Sequence, residues 1–344
     1  MLHYNFSTVF TKIGFGASFT VNSFFIYLTL FHVKNVTGTY KQLVIFFALT
    51  GIMFSGIEIF AKPFAHNHNN SMTYFSLNTD DFPEWVKQFL LVLWAGFYSL
   101  IVAAVAIQFI FRYLCLLGAE VTKHSNWFQN ILWVSYPILP GTVYAVLLYV
   151  LSMPDEYSDA YVKNAIFNNY QMVIDNLPRF IMATYTADGS VRWKNLSYLG
   201  SAGGIVFVHY AIIIICGIKM HFKMKEGLQM FSIANQKLQR QFFKALIFQS
   251  LGPTIFIFLP AIPVLLGPLV PLNGVEVSYQ SGWLFSVIGA YPPFDSISFM
   301  IIVVEYMKVI KSRYFKVFTG KSVSSVNTVS DQSRQKGNRM YANC

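Results

Sequence analysis

Charge is what this chain has least of. Across 344 residues only 12% are charged, against roughly a quarter in a water-soluble domain, and that deficit excludes an ordinary soluble fold. Cysteine is equally sparse. Cys115, Cys216 and Cys344 fall at a helix end, inside an apolar run and at the last residue, so no pair shares an exposed loop and no structural disulfide is expected. Histidine is almost missing from the apolar runs, where His209 is the only one in mid-span. A hydrolase working inside a membrane needs His, Asp and Ser gathered at one depth to hold a metal and activate water, so the chain is expected to be no enzyme and to hold no metal or cofactor. The first apolar run is too long for a signal peptide, has no basic segment before it and lacks a small-residue cleavage site, and reads as a membrane span rather than a cleaved signal. Pro253, Pro260 and Pro263 interrupt the sixth apolar run with no counterpart in the first half, which disfavours the internal repeat of a secondary transporter.

What the chain has in excess is apolar and aromatic: 55% hydrophobic residues, a mean hydropathy of +0.48, 34 Phe and 20 Tyr. A hydrocarbon core about 30 Å thick takes roughly 20 apolar residues of helix, and seven runs qualify. They cover Ile13 to His32, Leu43 to Ala61, Gln88 to Phe111, Ile131 to Leu151, Leu199 to Ile218, Ala245 to Gly267 and Ser281 to Val304. The expected fold is an all-α membrane protein, a bundle of seven transmembrane helices over residues 1–318, followed by a polar tail over 319–344 that is expected to be disordered. Lipid is therefore one partner. The net charge of +10 does not mark a nucleic-acid binder, because the basic residues lie between apolar runs at the membrane surface.

Charge also orients the chain. The side with the first, third and fifth connections plus the tail carries 18 Lys and Arg against 4 acids, and the opposite side 7 against 9. By the positive-inside rule the N-terminus is outside, on the plasma membrane's outer face. Of the Asn-x-Ser/Thr sequons, Asn5, Asn69 and Asn195 fall outside, where glycans are attached, and Asn35 inside. The long outer segment from Ser152 to Tyr198 reads either as a solvated loop or as a lid over the bundle.

An ionisable group inside a span costs about 2.5 to 3.5 kcal/mol, so each one asks for a reason. Glu58 and Lys62, four residues apart, would share a helix face and neutralise each other, as a local pair or as part of a switch. Asp295 follows Tyr291-Pro292-Pro293-Phe294, which must bend the seventh span, and reads either as a switch or as a polar packing residue. Arg112, in Phe111-Arg112-Tyr113, stands where the third span leaves the bilayer, the usual place for a snorkelling Arg. The run Gln236 to Lys244, with Lys237, Arg240 and Lys244, reads as a helical lead into the sixth span, either a partner surface or a charged anchor. A small apolar pocket is expected among Trp94, Phe97, Tyr98, Phe256, Trp283 and Val287, chosen by depth. His209 is a further candidate, though a lone mid-span His is more often a satisfied core residue.

Gly38-Thr39-Tyr40-Lys41 entering the second span, Glu58 to Pro63 leaving it, Phe111-Arg112-Tyr113, and Leu238-Gln239-Arg240-Gln241-Phe242-Phe243-Lys244-Ala245-Leu246 with Gln249 and Pro253 together resemble nematode serpentine receptors of the Str class. The similarity runs from about Ile13 to Lys316. It implies a rhodopsin-like receptor on the ciliary membrane of a sensory neuron, binding a small odorant or other environmental chemical and activating a heterotrimeric G protein. Arg112, Tyr113, Lys237, Arg240, Lys244 and Lys308 would then meet the G protein. The chain departs from the class pattern at Ser296, where a second Pro is usual, and at Met307-Lys308, where an Arg is usual. A ligand-gated channel subunit with seven helices is the competing reading, but the seven-helix odorant channels of insects have the N-terminus inside.

Overall fold

The computed structural model describes residues 2–33, 36, 38–79, 81–118, 127–227, 240, 244, 247–248, 251–270 and 276–315. Lys237, Asn35 and the 319–344 tail lie outside them, and only the backbone is described for Asn5. Among the described residues seven helical spans are long and apolar enough to cross a membrane: Val9–Phe31, Gly38–Ala61, Glu84–Leu116, Trp127–Leu151, Trp193–Lys223, Leu251–Leu269 and Trp283–Ile302. Several overrun the apolar runs by up to six residues, because a helix keeps its backbone bonds beyond the hydrocarbon and sheds only the apolar requirement there. Large side chains such as Phe19, Phe31, Phe207 and Ile301 face outward, as lipid contact demands.

The third span is the axis of the bundle and is buried along most of its length. The small run Ala103-Ala104-Val105-Ala106 lets its neighbours approach closely. Against it the fourth span packs through bare backbone: a Cβ on Gly96 would lie 3.1 Å from the Gly141 carbonyl oxygen and 3.1 Å from the Ala145 Cβ.

Proline decides where the spans break. The fourth is interrupted between Ser135 and Ile138, at Pro137. The sixth runs as a π-helix over Thr254–Phe258 straight after Pro253, which has no N–H to offer the regular ladder. The seventh is built of Trp283–Gly289, Tyr291–Ile302 and Val304–Ile310, its first break falling just before Pro292-Pro293. Gly51 of the second span makes room for that kink, since a Cβ there would come within 2.8 Å of the Pro292 Cβ. Ser296 donates a hydrogen bond to Asn22 Oδ1 of the first span. Asn22 Nδ2 donates in turn to Ser18, 3.0 Å away, so these polar side chains tie the first and seventh spans.

The outer surface is not all helix. Strands β1 (Pro63–His68) and β2 (Ser71–Ser76) form a hairpin after the second span, β3 (Arg179–Ala183) pairs with β2, and β4 (Ser278–Gln280) pairs with β1, all antiparallel. The order β3-β2-β1-β4 joins all three outer connections into one sheet. A lid helix, Glu156–Tyr170, covers it through Val162 and Ile166, which pack with Phe64, Phe75 and Ile181. Asp155 caps this helix by accepting from the Ser158 amide at 2.9 Å while Ser158 Oγ accepts from the Asp155 amide. Asp159 holds Arg179 of β3 through two hydrogen bonds of 2.6 Å. The outer segment is therefore a lid and not a solvated loop.

Candidate functional site

Beneath the sheet, between the outer halves of the spans, lies an internal cavity of about 50 Å³. Its roof is Met72 and Tyr74 of β2 with Met182 of β3, and its walls come from the third to seventh spans. Tyr74 donates to the Leu91 carbonyl oxygen at 3.1 Å. Tyr144 and Tyr198 hydrogen-bond to each other. The Tyr98 hydroxyl is buried with no partner among the described residues. Among the described residues no charged side chain lines the cavity, so it suits a small uncharged molecule.

Of the pocket residues expected by depth, Trp94 and Tyr98 line this cavity. Trp94 stacks on Phe54 at 5.2 Å and lies 5.0 Å from the Phe285 ring. The others face elsewhere. Trp283 is exposed and Val287 half-buried, while Phe285 and Ile288, one residue-step of helix phase away, point inward. Phe256 sits deeper, 5.0 Å from Phe294, and the sixth span instead offers Ala261, Val264 and Leu265. Phe97 faces a second, larger groove on the lipid side. His209 bonds the Ile205 carbonyl oxygen at 2.7 Å and the Tyr136 hydroxyl at 3.2 Å, pinning the fifth span to the break in the fourth as a satisfied core residue.

Glu58 and Lys62 do not pair. The second span ends at Ala61, Lys62 takes a positive φ of 39°, and its side chain leaves the helix face for Asn78 Oδ1, 3.4 Å away. The i,i+4 argument fails because it needs both residues inside the helix. Glu58 is instead buried among three other spans. It accepts from Thr11 at 3.2 Å, Trp94 turns its indole N–H towards it without closing a hydrogen bond, and a Cβ on Gly289 would lie 2.6 Å from Oε2. Asp295 is buried and accepts from the Tyr291 hydroxyl at 3.4 Å.

Arg112 is not at the surface. It is only 3% exposed, and its guanidinium carbon lies 3.4 Å above the centroid of the Tyr40 ring. Tyr40 is itself packed against Phe111 and Phe299, in a cluster with Phe25 and Tyr306 that closes the inner end of the bundle. Around it, Tyr113 is half-buried with the Lys219 ammonium 5.8 Å above its ring. Arg240, Lys244 and Lys308 are exposed.

The Asn195 side chain is buried and donates to the carbonyl oxygens of Leu151 and Ile181, 3.0 and 3.2 Å away. Its amide nitrogen is thus committed to the lid, and the folded state leaves no room for a glycan there. Asn69 sits in the β1–β2 turn at a φ of 46° and is half-buried.

In the lid, His66 joins three elements: its ring nitrogens lie 3.0 Å from the Tyr170 hydroxyl of the lid helix and 3.0 Å from Ser278 Oγ of β4. Burial, with His68 nearby, lowers its pKa to about 4. His68 is lowered in its turn by burial, against the pull of Glu276. Because the folded value of His66 lies below the unfolded one of about 6.5, the unfolded lid takes up the proton first. Lid stability is then full above about pH 6.5, falls as pH drops, and levels off below about pH 4, a loss on the order of 3 kcal/mol. Hydrogen exchange of the β1 and lid-helix amides should accelerate across that window, and His66→Gln should remove most of the pH dependence.

These features define a class: a seven-span helical membrane protein with a lidded cavity at one end and a closed aromatic cluster at the other. The chain's fold is that of squid rhodopsin, to which it aligns with a TM-score of 0.59 over 99% of this chain and 91% of that one at 13% identity. The chain belongs to the serpentine-type seven-transmembrane GPCR chemoreceptors of the Str family, whose pattern it matches over residues 7–311. It is 36% identical to the G-protein coupled receptor str-33 of Caenorhabditis elegans over 93% of this chain and 94% of that one. It is 25% identical to the serpentine receptor class r-10 of the same organism over 91% of each. This is a family of multi-pass membrane receptors and not of enzymes.

Proposed function

We propose that the chain is a chemosensory receptor that binds a small, uncharged environmental molecule in the tyrosine-lined cavity and signals through a heterotrimeric G protein. The observation that carries this reading is the pairing of two features on one helix. Tyr98, with its open hydroxyl, faces the cavity, and Arg112, stacked on Tyr40, stands fourteen residues further in, about 21 Å along the same helix. A ligand anchored on Tyr98 and packed against Ala261 and Phe285 favours one arrangement of the third, sixth and seventh spans, and it shifts the balance only by its differential affinity for that arrangement. The sixth span, loosened by its prolines and π-helical turn, moves outward. Arg112 then leaves Tyr40 and, with Arg240, Lys244, Lys308 and the neighbouring Lys237, meets the G protein.

Membership of the family supports a place on the ciliary membrane of a sensory neuron, with Asn5 and Asn69 as the outer glycan sites. The test is nucleotide exchange on purified G proteins by the receptor in vesicles, screened against small uncharged volatiles. Exchange driven by one of them supports the reading, and constitutive or absent exchange across the screen contradicts it.

A further inference from the structure

On the lipid side a groove of about 860 Å³ opens between the second, third and fourth spans. Its floor is the bare contact between Gly96 and Gly141, where the third and fourth spans close on each other. Along the third span it extends from Trp85 to Leu100, fifteen residues or about 22 Å of helix. That equals half of a bilayer about 40–45 Å thick including its headgroup regions, so the groove is as deep as the outer leaflet. One end is aromatic and polar, with Trp85, Gln88 and Tyr149, and the rest is apolar apart from Thr50 and Thr142.

We propose that this groove is a binding site for a membrane sterol held with its hydroxyl at the outer boundary. Three observations select a sterol over other lipids. Among the described residues no Lys or Arg lines the groove, so a phosphate headgroup finds no counter-charge there and an uncharged head is favoured. The amide lining this end can accept a hydroxyl: Gln88 Nε2 donates to the Met153 sulfur at 3.2 Å and to the Arg179 carbonyl oxygen at 3.4 Å, which leaves Oε1 as an acceptor. The floor of Gly96, Gly141 and Ala145, walled by Phe46 and Phe97, presents a flat strip between aromatic sides, suited to a rigid ring system that loses little entropy on binding. Because Gln88 also bonds the backbone of β3, a sterol there touches the lid as well as the spans.

The test uses the full receptor in nanodiscs with a photoreactive sterol, with cholesterol as competitor. Expected are saturable labelling on the third and fourth spans between Val92 and Tyr149 and competition by cholesterol about tenfold better than by its 3-deoxy analogue. Val146→Trp, which fills the groove from its rim, should cut labelling at least about tenfold, and Gln88→Leu should erase the preference for cholesterol over the deoxy analogue. A thermal melt of each variant shows that it is folded. Unsaturable labelling matched by a photoreactive acyl-chain phospholipid, labelling unchanged in Val146→Trp, or cross-linked receptor dimers in place of sterol adducts would overturn the proposal.

Discussion

Arg112→Ala is expected to abolish ligand-driven signalling while the receptor still reaches the cell surface, and Tyr40→Leu is expected to raise signalling without ligand. Both follow from the position of Arg112. A guanidinium only 3% exposed, with its carbon 3.4 Å above the Tyr40 centroid, contributes nothing to a cytoplasmic partner until it moves, and the stacking that holds it back is worth about 2 kcal/mol when desolvated. Removing the charge deletes the group that the G protein is proposed to meet, so the signal falls to background. Removing the ring instead lowers the cost of leaving by that amount, which shifts the resting balance by up to about thirtyfold towards the exposed arrangement. Nucleotide exchange in ligand-free membranes, normalised to surface receptor, measures both. An Arg112→Ala receptor that signals normally, or a Tyr40→Leu receptor with unchanged basal exchange, would separate this contact from signalling.

Ala261→Leu is expected to abolish the ligand response and to leave basal exchange unchanged. The cavity holds only about 50 Å³, room for a few water-sized groups, and Ala261 lines it from the sixth span. Three added carbons occupy that space at an overpacking cost of about 1–3 kcal/mol. The concentration of ligand for half-maximal response should rise at least about a hundredfold. Leu259, on the same span but facing out, is the control: Leu259→Ala should leave the response within a few-fold. Equal sensitivity at both positions would mean that the ligand binds elsewhere.

Much of the membrane architecture was legible because lipid imposes one rule on every span. Seven long apolar runs were enough to give the bundle, and Str motifs were enough to give the family. The outer sheet was not legible. β2 pairs with β3 more than a hundred residues away, and β4 is three residues long, so neither carries a local signal strong enough to read alone. The alternation in Ser71–Ser76, rich in Thr, Tyr and Phe after an Asn-Asn turn, was the available hint.

Side-chain direction was the other gap. Depth alone named Trp283 and Val287, whereas helix phase brings Phe285 and Ile288 to the cavity. Two of the cavity's hydroxyls, on Tyr144 and Tyr198, come from spans for which only His209 had been singled out. Arg112 read as a snorkelling residue, since nothing in its own helix says that Tyr40 of the second span stands beside it. Glu58 and Lys62 were read as a pair by spacing that holds only inside a helix, and the helix stops one residue too soon.

The most direct test of the account records G-protein activation and membrane current together, in cells expressing the chain and exposed to a ligand from the volatile screen. The account predicts ligand-evoked nucleotide exchange that is lost with Arg112→Ala, and no current once the G protein is removed. A ligand-evoked current that persists without G protein would contradict it and make the seven-helix chain a channel.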